Sequence, residues 1–326
     1  MAKYTSIGGQ ALIEGIMMRN PQKKTALAVR CPDKSINITY IKEKSIKDRH
    51  AVLRLPIIRG VVSYIESMVQ GYKAMMMSAD ISGFTDIEDE KEKQAKKDPK
   101  KQSAITNAIM VVATVLGVAL AVVLFLAIPR YAVAGLEWLI GSPFPKIIRS
   151  SIEQLIKIAV LVLYMWGVSF MSDIRRVFAY HGAEHKTIFC YEKGLPLTVE
   201  NVKKQKRFHP RCGTSFLILM ILVSVIVSTV VQMIFPSVYD IAPLWVAIKI
   251  LLIPIICGLG YEVLKLCGKY DNILTRIISA PGMWLQHITT KEPDDDMIEV
   301  AIAAIKACDE IEDKPQEDGS DEQNDI

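Results

Sequence analysis

The sequence predicts a mainly α-helical, polytopic membrane protein with about four transmembrane helices and a small N-terminal β-hairpin/α cytoplasmic domain. Three observations carry that expectation. First, 51% of the 326 residues are hydrophobic and the mean hydropathy is +0.26, too apolar for an ordinary soluble chain of this length. Second, two uncharged apolar runs, residues 107–128 and 214–235, each supply the about 20 residues that a helix needs to cross a bilayer. Third, lysine and arginine alternate between rich and poor from one connection to the next, the pattern that sets membrane orientation.

Residues 1–85 read as a hairpin plus an amphipathic helix. "TALAVRC" and "INITYI" flank "PDKS", which has turn composition, and Ile36, Ile38 and Tyr40 alternate with Asn37 and Thr39. In "LPIIRGVVSYIESMVQGYKAMMMSAD" the residues Ile57, Val61, Ile65, Met68, Tyr72 and Met75 form one stripe, with Arg59, Ser63, Glu66, Gln70 and Lys73 opposite. Such a helix packs on a domain core or lies in the membrane interface. The opening "GGQALIEGIMMR" reads as a tight turn and a strand. The alternative is that its glycines let the backbone approach a partner and bring Glu14 or Arg19 to a site, with Gln10 the third polar point.

Residues 86–103 form a mixed-charge, flexible linker. The membrane domain spans residues 104–291. Besides the two clean runs it holds 156–171, with Lys157 near its start, and 242–262, with Lys249 inside and Glu262 at its end. Lysines near helix ends can snorkel to the interface, so neither forbids a span. The segment before the first span and the loop between the second and third are rich in lysine and arginine. The connection between the third and fourth has none, which places both termini and the central loop on the cytoplasmic side. Residues 292–312 read as a cytoplasmic helix with aspartates at its N-terminal end, and 313–326 as a disordered acidic tail. No cleaved signal peptide is expected behind "MAKYTSIGGQ". The expected location is therefore a plasma membrane, with the lipid bilayer as a partner. The six cysteines are scattered and read as reduced thiols, and the net charge of +4 with no nucleic-acid module argues against a nucleic-acid partner.

The chemistry concentrates in the loop 173–213. In "HGAEHKTIFC", His181, Glu184 and His185 stand at i, i+3 and i+4 and share one helix face. This is the inverted form of the His-Glu-x-x-His zinc motif, in which the histidines hold the ion and the glutamate takes a proton from metal-bound water. Downstream, "RFHPRCGTSF" adds His209 and Cys212 at metal-ligand spacing. If all four ligate, the site is closed and structural; if three do, water takes the fourth position and Glu184 is the general base. Glu262 is the alternative third ligand, because topology returns it to the cytoplasmic face and inverted zincins use a distant downstream glutamate. The implied cofactor is zinc or another divalent transition metal.

Together "GGQALIEGIMMRNPQ", "HGAEHKTIFCYE", "RFHPRCGTSF" and "GYEVLKL" resemble the YqhQ-like family of bacterial membrane proteins, from Gly8 to about Lys291. That resemblance implies a polytopic membrane protein of a family described as predicted metal-dependent enzymes, supports a metal at His181 and His185, and supplies no substrate. The first functional expectation is a zinc-dependent hydrolase acting at the cytoplasmic membrane face on a protein or other membrane-associated substrate. The second is a non-enzymatic scaffold or assembly factor with a structural metal. The third is a transporter using Lys157, Lys249 and Glu262 as intramembrane charges.

Overall fold

Among the described residues, the N-terminal segment carries four strands, one more than the expected hairpin and opening strand. The computed structural model describes residues 7–20, 25–41, 46, 50–84, 112, 114–210, 212–270 and 272–310. The expected linker 86–103 and tail 313–326 lie outside these residues, as does the start of the first apolar run. Strands β1 (Gly8–Leu12), β2 (Gly15–Arg19), β3 (Thr25–Arg30) and β4 (Ile36–Ile41) form an antiparallel sheet in chain order. The opening stretch, expected as a turn and one strand, is itself a hairpin. Leu12 pairs with Gly15 across the two-residue loop Ile13–Glu14, where Glu14 has φ 52°. The hairpin expected around "PDKS" is β3–β4.

Strands β2 and β3 are apolar almost throughout because both faces of the sheet are covered. Met17, Leu27 and Val29 face a core that includes Ala74 of helix α1 (Ile58–Ile81). Ile16, Met18, Ala26 and Ala28 face a second core, shared with α4 (Ser172–Glu192) and α8 (Asp295–Glu310). The result is three layers: α1, the sheet, then α4 with α8. The helix expected at residues 292–312 is thus a core element, with Ile298, Ala301 and Ile305 fully buried.

Of the two placements expected for the apolar stripe of α1, packing on the domain core is not the one observed. Ile57, Ile65, Met68 and Tyr72 of the stripe are exposed, and the buried residues are Gly60, Ser63, Gly71, Ala74, Ser78 and Ala79. The reason is distance. A Cβ at Gly71 would lie 2.5 Å from the Gln10 side chain, and one at Gly60 would lie 2.9 Å from the backbone of Gly258. Only small residues allow α1 to approach the sheet and the helix that carries Gly258 this closely, so its large side chains turn outward.

Among the described residues, four helices are long and apolar enough to cross a membrane: α2 (Thr114–Ile140), α3 (Lys146–Val168), and the spans Phe216–Ile234 and Leu244–Cys267 within α5 (Gly213–Ile234) and α6 (Ala242–Lys269). The first outruns its expected end at residue 128. Pro129 offers no N–H to the helix ladder, and a π turn at Val123–Ala127 absorbs the mismatch. The second begins at Lys146 instead of residue 156, because polar residues in its first half face the bundle. Helix α7 (Ile273–Thr289) packs along α5 and returns the chain to the sheet, with Leu285 meeting Leu161 and Ile218.

Candidate metal centre

Helix α4 is fixed between two surfaces. Ala179, Tyr180, Ala183 and Ile188 enter the core beneath the sheet. Gly182 runs so close to the carbonyl of Lys291 that no side chain fits there. This leaves His181 and His185 on the side facing the bundle, their ring centroids 4.4 Å apart. Cys212 is the N-cap of α5, and its position at the mouth of that helix carries its thiol to the histidine pair. One ligand atom from each of His181, His185 and Cys212 falls within 4.8 Å of the others.

Both imidazoles are held by the backbone. His181 Nδ1 lies 2.8 Å from the carbonyl oxygen of Thr289, and His185 Nδ1 lies 2.5 Å from that of Arg207. A carbonyl oxygen only accepts, so each Nδ1 carries the proton and each Nε2 keeps its lone pair. His181 Nε2 is 3.1 Å from Cys212 Sγ, and His185 also hydrogen-bonds that thiol. Burial holds His185 below the ordinary imidazole value even against the hydrogen bond from Cys212, which keeps it in the neutral form that ligates metals. Orienting a ligating histidine through its second nitrogen is what metal sites require of their surroundings. Two imidazole nitrogens and one thiolate suit zinc or a neighbouring late transition metal rather than magnesium or calcium.

The other residues singled out in the sequence lie elsewhere. Glu184 turns towards β1, where its carboxylate accepts the Gly9 N–H. The absence of a side chain at Gly9 makes the room: a Cβ there would stand 2.9 Å from that carboxyl group. Burial pushes Glu184 up to about 7, partly offset by the nearby His181. His209 is outside the three-ligand cluster. Its ring packs on Phe189, its Nε2 lies 3.9 Å from a Glu192 oxygen, and its backbone is clamped by Gln286 through two 2.8 Å hydrogen bonds. Glu262 receives two hydrogen bonds from Arg59, at 2.7 and 2.5 Å, and so ties α6 to α1.

The polar points of the first hairpin also have partners. Glu14 takes a bidentate pair from Arg176 at 2.5 and 2.6 Å and a 3.1 Å bond from the Tyr180 hydroxyl, which holds its left-handed backbone. Arg19 donates to Gln70 at 3.0 Å. The sequence reading missed Gln286, Thr289 and Arg207. Gln286 was detectable as a lone amide in an apolar stretch. Thr289 and Arg207 reach the histidines through backbone oxygens, which every residue has, so no residue type could mark them.

The chain belongs to the family described as "Protein of unknown function (DUF1385)", which matches residues 55–310. It is also similar to "Uncharacterized protein YqhQ" of Bacillus subtilis (strain 168), with 35% identity over 302 residues covering 91% of this chain and 90% of that protein. No solved structure matches it.

Proposed function

We propose that this chain is an integral membrane metalloenzyme of hydrolase type, with a zinc ion at His181, His185 and Cys212 on the cytoplasmic face. The observation that carries the metal is the pair of Nδ1 contacts to Thr289 and Arg207, which aim two free Nε2 lone pairs at one thiol. The observation that favours catalysis over a closed clip is the ligand count. His181, His185 and Cys212 would hold the ion with three protein ligands, which would leave it open to water or substrate. The bound ion would lower the pKa of its water and polarise a substrate carbonyl or phosphoryl oxygen. Glu184, turned to the Gly9 N–H but within electrostatic reach of His181, is the proton acceptor in this reading. The exposed apolar surface of the four long helices and the lysine-rich central loop support insertion with both termini inside.

A second reading is favoured by the connectivity of the site. The cluster and its carbonyl partners join α4, the loop at Arg207, the start of α5 and the end of α7. A metal there would staple the sheet-bearing region to the bundle, as in a scaffold or assembly factor. Elemental analysis of purified protein tests both readings. About one zinc per chain is expected, lost in His181→Ala/His185→Ala, and a cobalt-loaded sample should give thiolate-to-metal charge-transfer absorption that Cys212→Ala removes. Folded protein that binds no metal would overturn both. Glu184→Gln then separates them. It should keep the metal and fail to complement a visible deletion phenotype if Glu184 moves a proton, a contribution of about 10²–10⁴ in rate. Full complementation at native expression would leave the staple.

A further inference from the structure

The first half of α3 presents a polar stripe to the inside of an apolar bundle. Lys146, Arg149, Ser150, Glu153, Gln154 and Lys157 recur at three- and four-residue spacing, and Ser150, Glu153 and Gln154 are buried. Buried charge is costly unless paired, so the pairing decides what the stripe is for. Glu153 lies 3.6 Å from Lys249 of α6 and 3.9 Å from Arg149. Arg149 also reaches Glu137 of α2 at 3.4 Å. Both carboxylates are therefore engaged.

The cations exceed them. Arg130 acts electrostatically on Lys249, and Lys157 on the same lysine, so four cations (Arg130, Arg149, Lys157, Lys249) share two carboxylates (Glu137, Glu153), a net charge of +2. Among the described residues Lys157 has no carboxylate within ion-pair distance. It donates to Gln154 Oε1 at 3.3 Å, and Gln154 Nε2, on a side chain only 3% exposed, has no acceptor. Lys157 stands roughly 16 Å along the helix from Lys146, about half the length of α3. One turn further on, Leu161, Ile218 and Leu285 close the interior and separate the stripe from the His–Cys cluster.

We propose that this stripe lines a binding site for an oxyanion, a phosphate or carboxylate group, reached from the end of the bundle remote from the His–Cys cluster. A set of ion pairs made only for stability would balance its charges and satisfy its amides, because unmatched buried donors and charges destabilise. Here a lysine without a carboxylate and an unmatched amide N–H stand side by side, in a group whose cations outnumber its carboxylates, and an anionic oxygen answers both. The inference does not depend on the metal. Only the side of the membrane from which the anion arrives follows from the proposed orientation.

The test uses full-length protein in a neutral detergent and in lipid nanodiscs, with thermal unfolding read by tryptophan fluorescence. Inorganic phosphate should raise the melting temperature beyond a sodium chloride control of equal ionic strength if the ligand is a free anion. Discs containing phosphatidylglycerol should do so, relative to phosphatidylcholine alone, if it is a lipid headgroup. Lys157→Met should weaken the response about tenfold or more, the loss of one hydrogen bond to a charged group. Gln154→Leu removes the unmatched amide N–H together with the oxygen to which Lys157 donates, and should also respond less. Absence of stabilisation by both phosphate and phosphatidylglycerol, or a response that survives either substitution, overturns the proposal.

Discussion

The sheet-bearing region and the helical bundle bury opposite kinds of side chain. Beneath the sheet, Ile16, Met18, Ile298 and Ile305 are fully enclosed, and the charges of Lys203 and Asp295 meet at the surface. In the bundle, Trp138 is 84% exposed, Leu139 75% and Leu251 75%, while Glu153 and Gln154 are 2% and 3% exposed. Water selects the first arrangement. The second suits a hydrocarbon solvent, in which exposed apolar area carries no penalty and polar groups gather inside. The His–Cys cluster stands where the two regions meet, with residues from both.

Substitutions can break or sharpen that contrast. The largest effect is expected at Glu153. Glu153→Ala leaves Lys249 without its carboxylate and Arg149 with Glu137 alone, and should cost about 3–5 kcal/mol in thermal or denaturant unfolding in detergent. An unchanged melting temperature would mean that water already reaches the stripe. Next, Ile298→Ala opens a cavity in the closed core under the sheet and should cost about 2–5 kcal/mol. Its counterpart Leu251→Ala, on the outer surface of α6, should cost less than about 1 kcal/mol. Equal losses would show that Leu251 is covered by another chain.

A smaller effect is expected from the titration of Glu184 in chelator-treated protein. Its folded value of about 7 lies above its ordinary value of 4.5, so the folded state holds a proton that the unfolded state has released. Stability is fully present below pH 4.5 and falls as pH rises towards 7. Glu184→Gln should remove that slope and melt higher than the parent at pH 8. Parallel melting curves for the two proteins across this window would show that the carboxyl group is solvated. Because the variant should be no less stable, its loss of function would report chemistry rather than unfolding.

Much of this was legible in the sequence, for reasons that differ by element. The apolar runs at 107–128 and 214–235 needed only length, because a helix in hydrocarbon satisfies its own backbone. The spans holding Lys157 and Lys249 were harder to bound: their charges belong to a stripe that exists only when α2, α3 and α6 stand together. The three-ligand cluster was half visible. His181 and His185 were paired by helix spacing, whereas choosing Cys212 over His209 required the loop path that Gln286 sets.

Local period and composition determined which segments are helices, where a turn falls between β3 and β4, and which histidines share a face. These are decided within a few residues of chain, by the 3.6- and 2-residue repeats and by backbone freedom. Tertiary structure alone decided which face of α1 is buried, because close approach at Gly60 and Gly71 outweighed the burial of larger side chains. It also sent Glu262 to Arg59, Glu14 to Arg176 and Glu184 to the N–H of Gly9. A carboxylate's partner is whichever donor the folded chain brings within about 3 Å, and those donors come from residues up to 203 positions away.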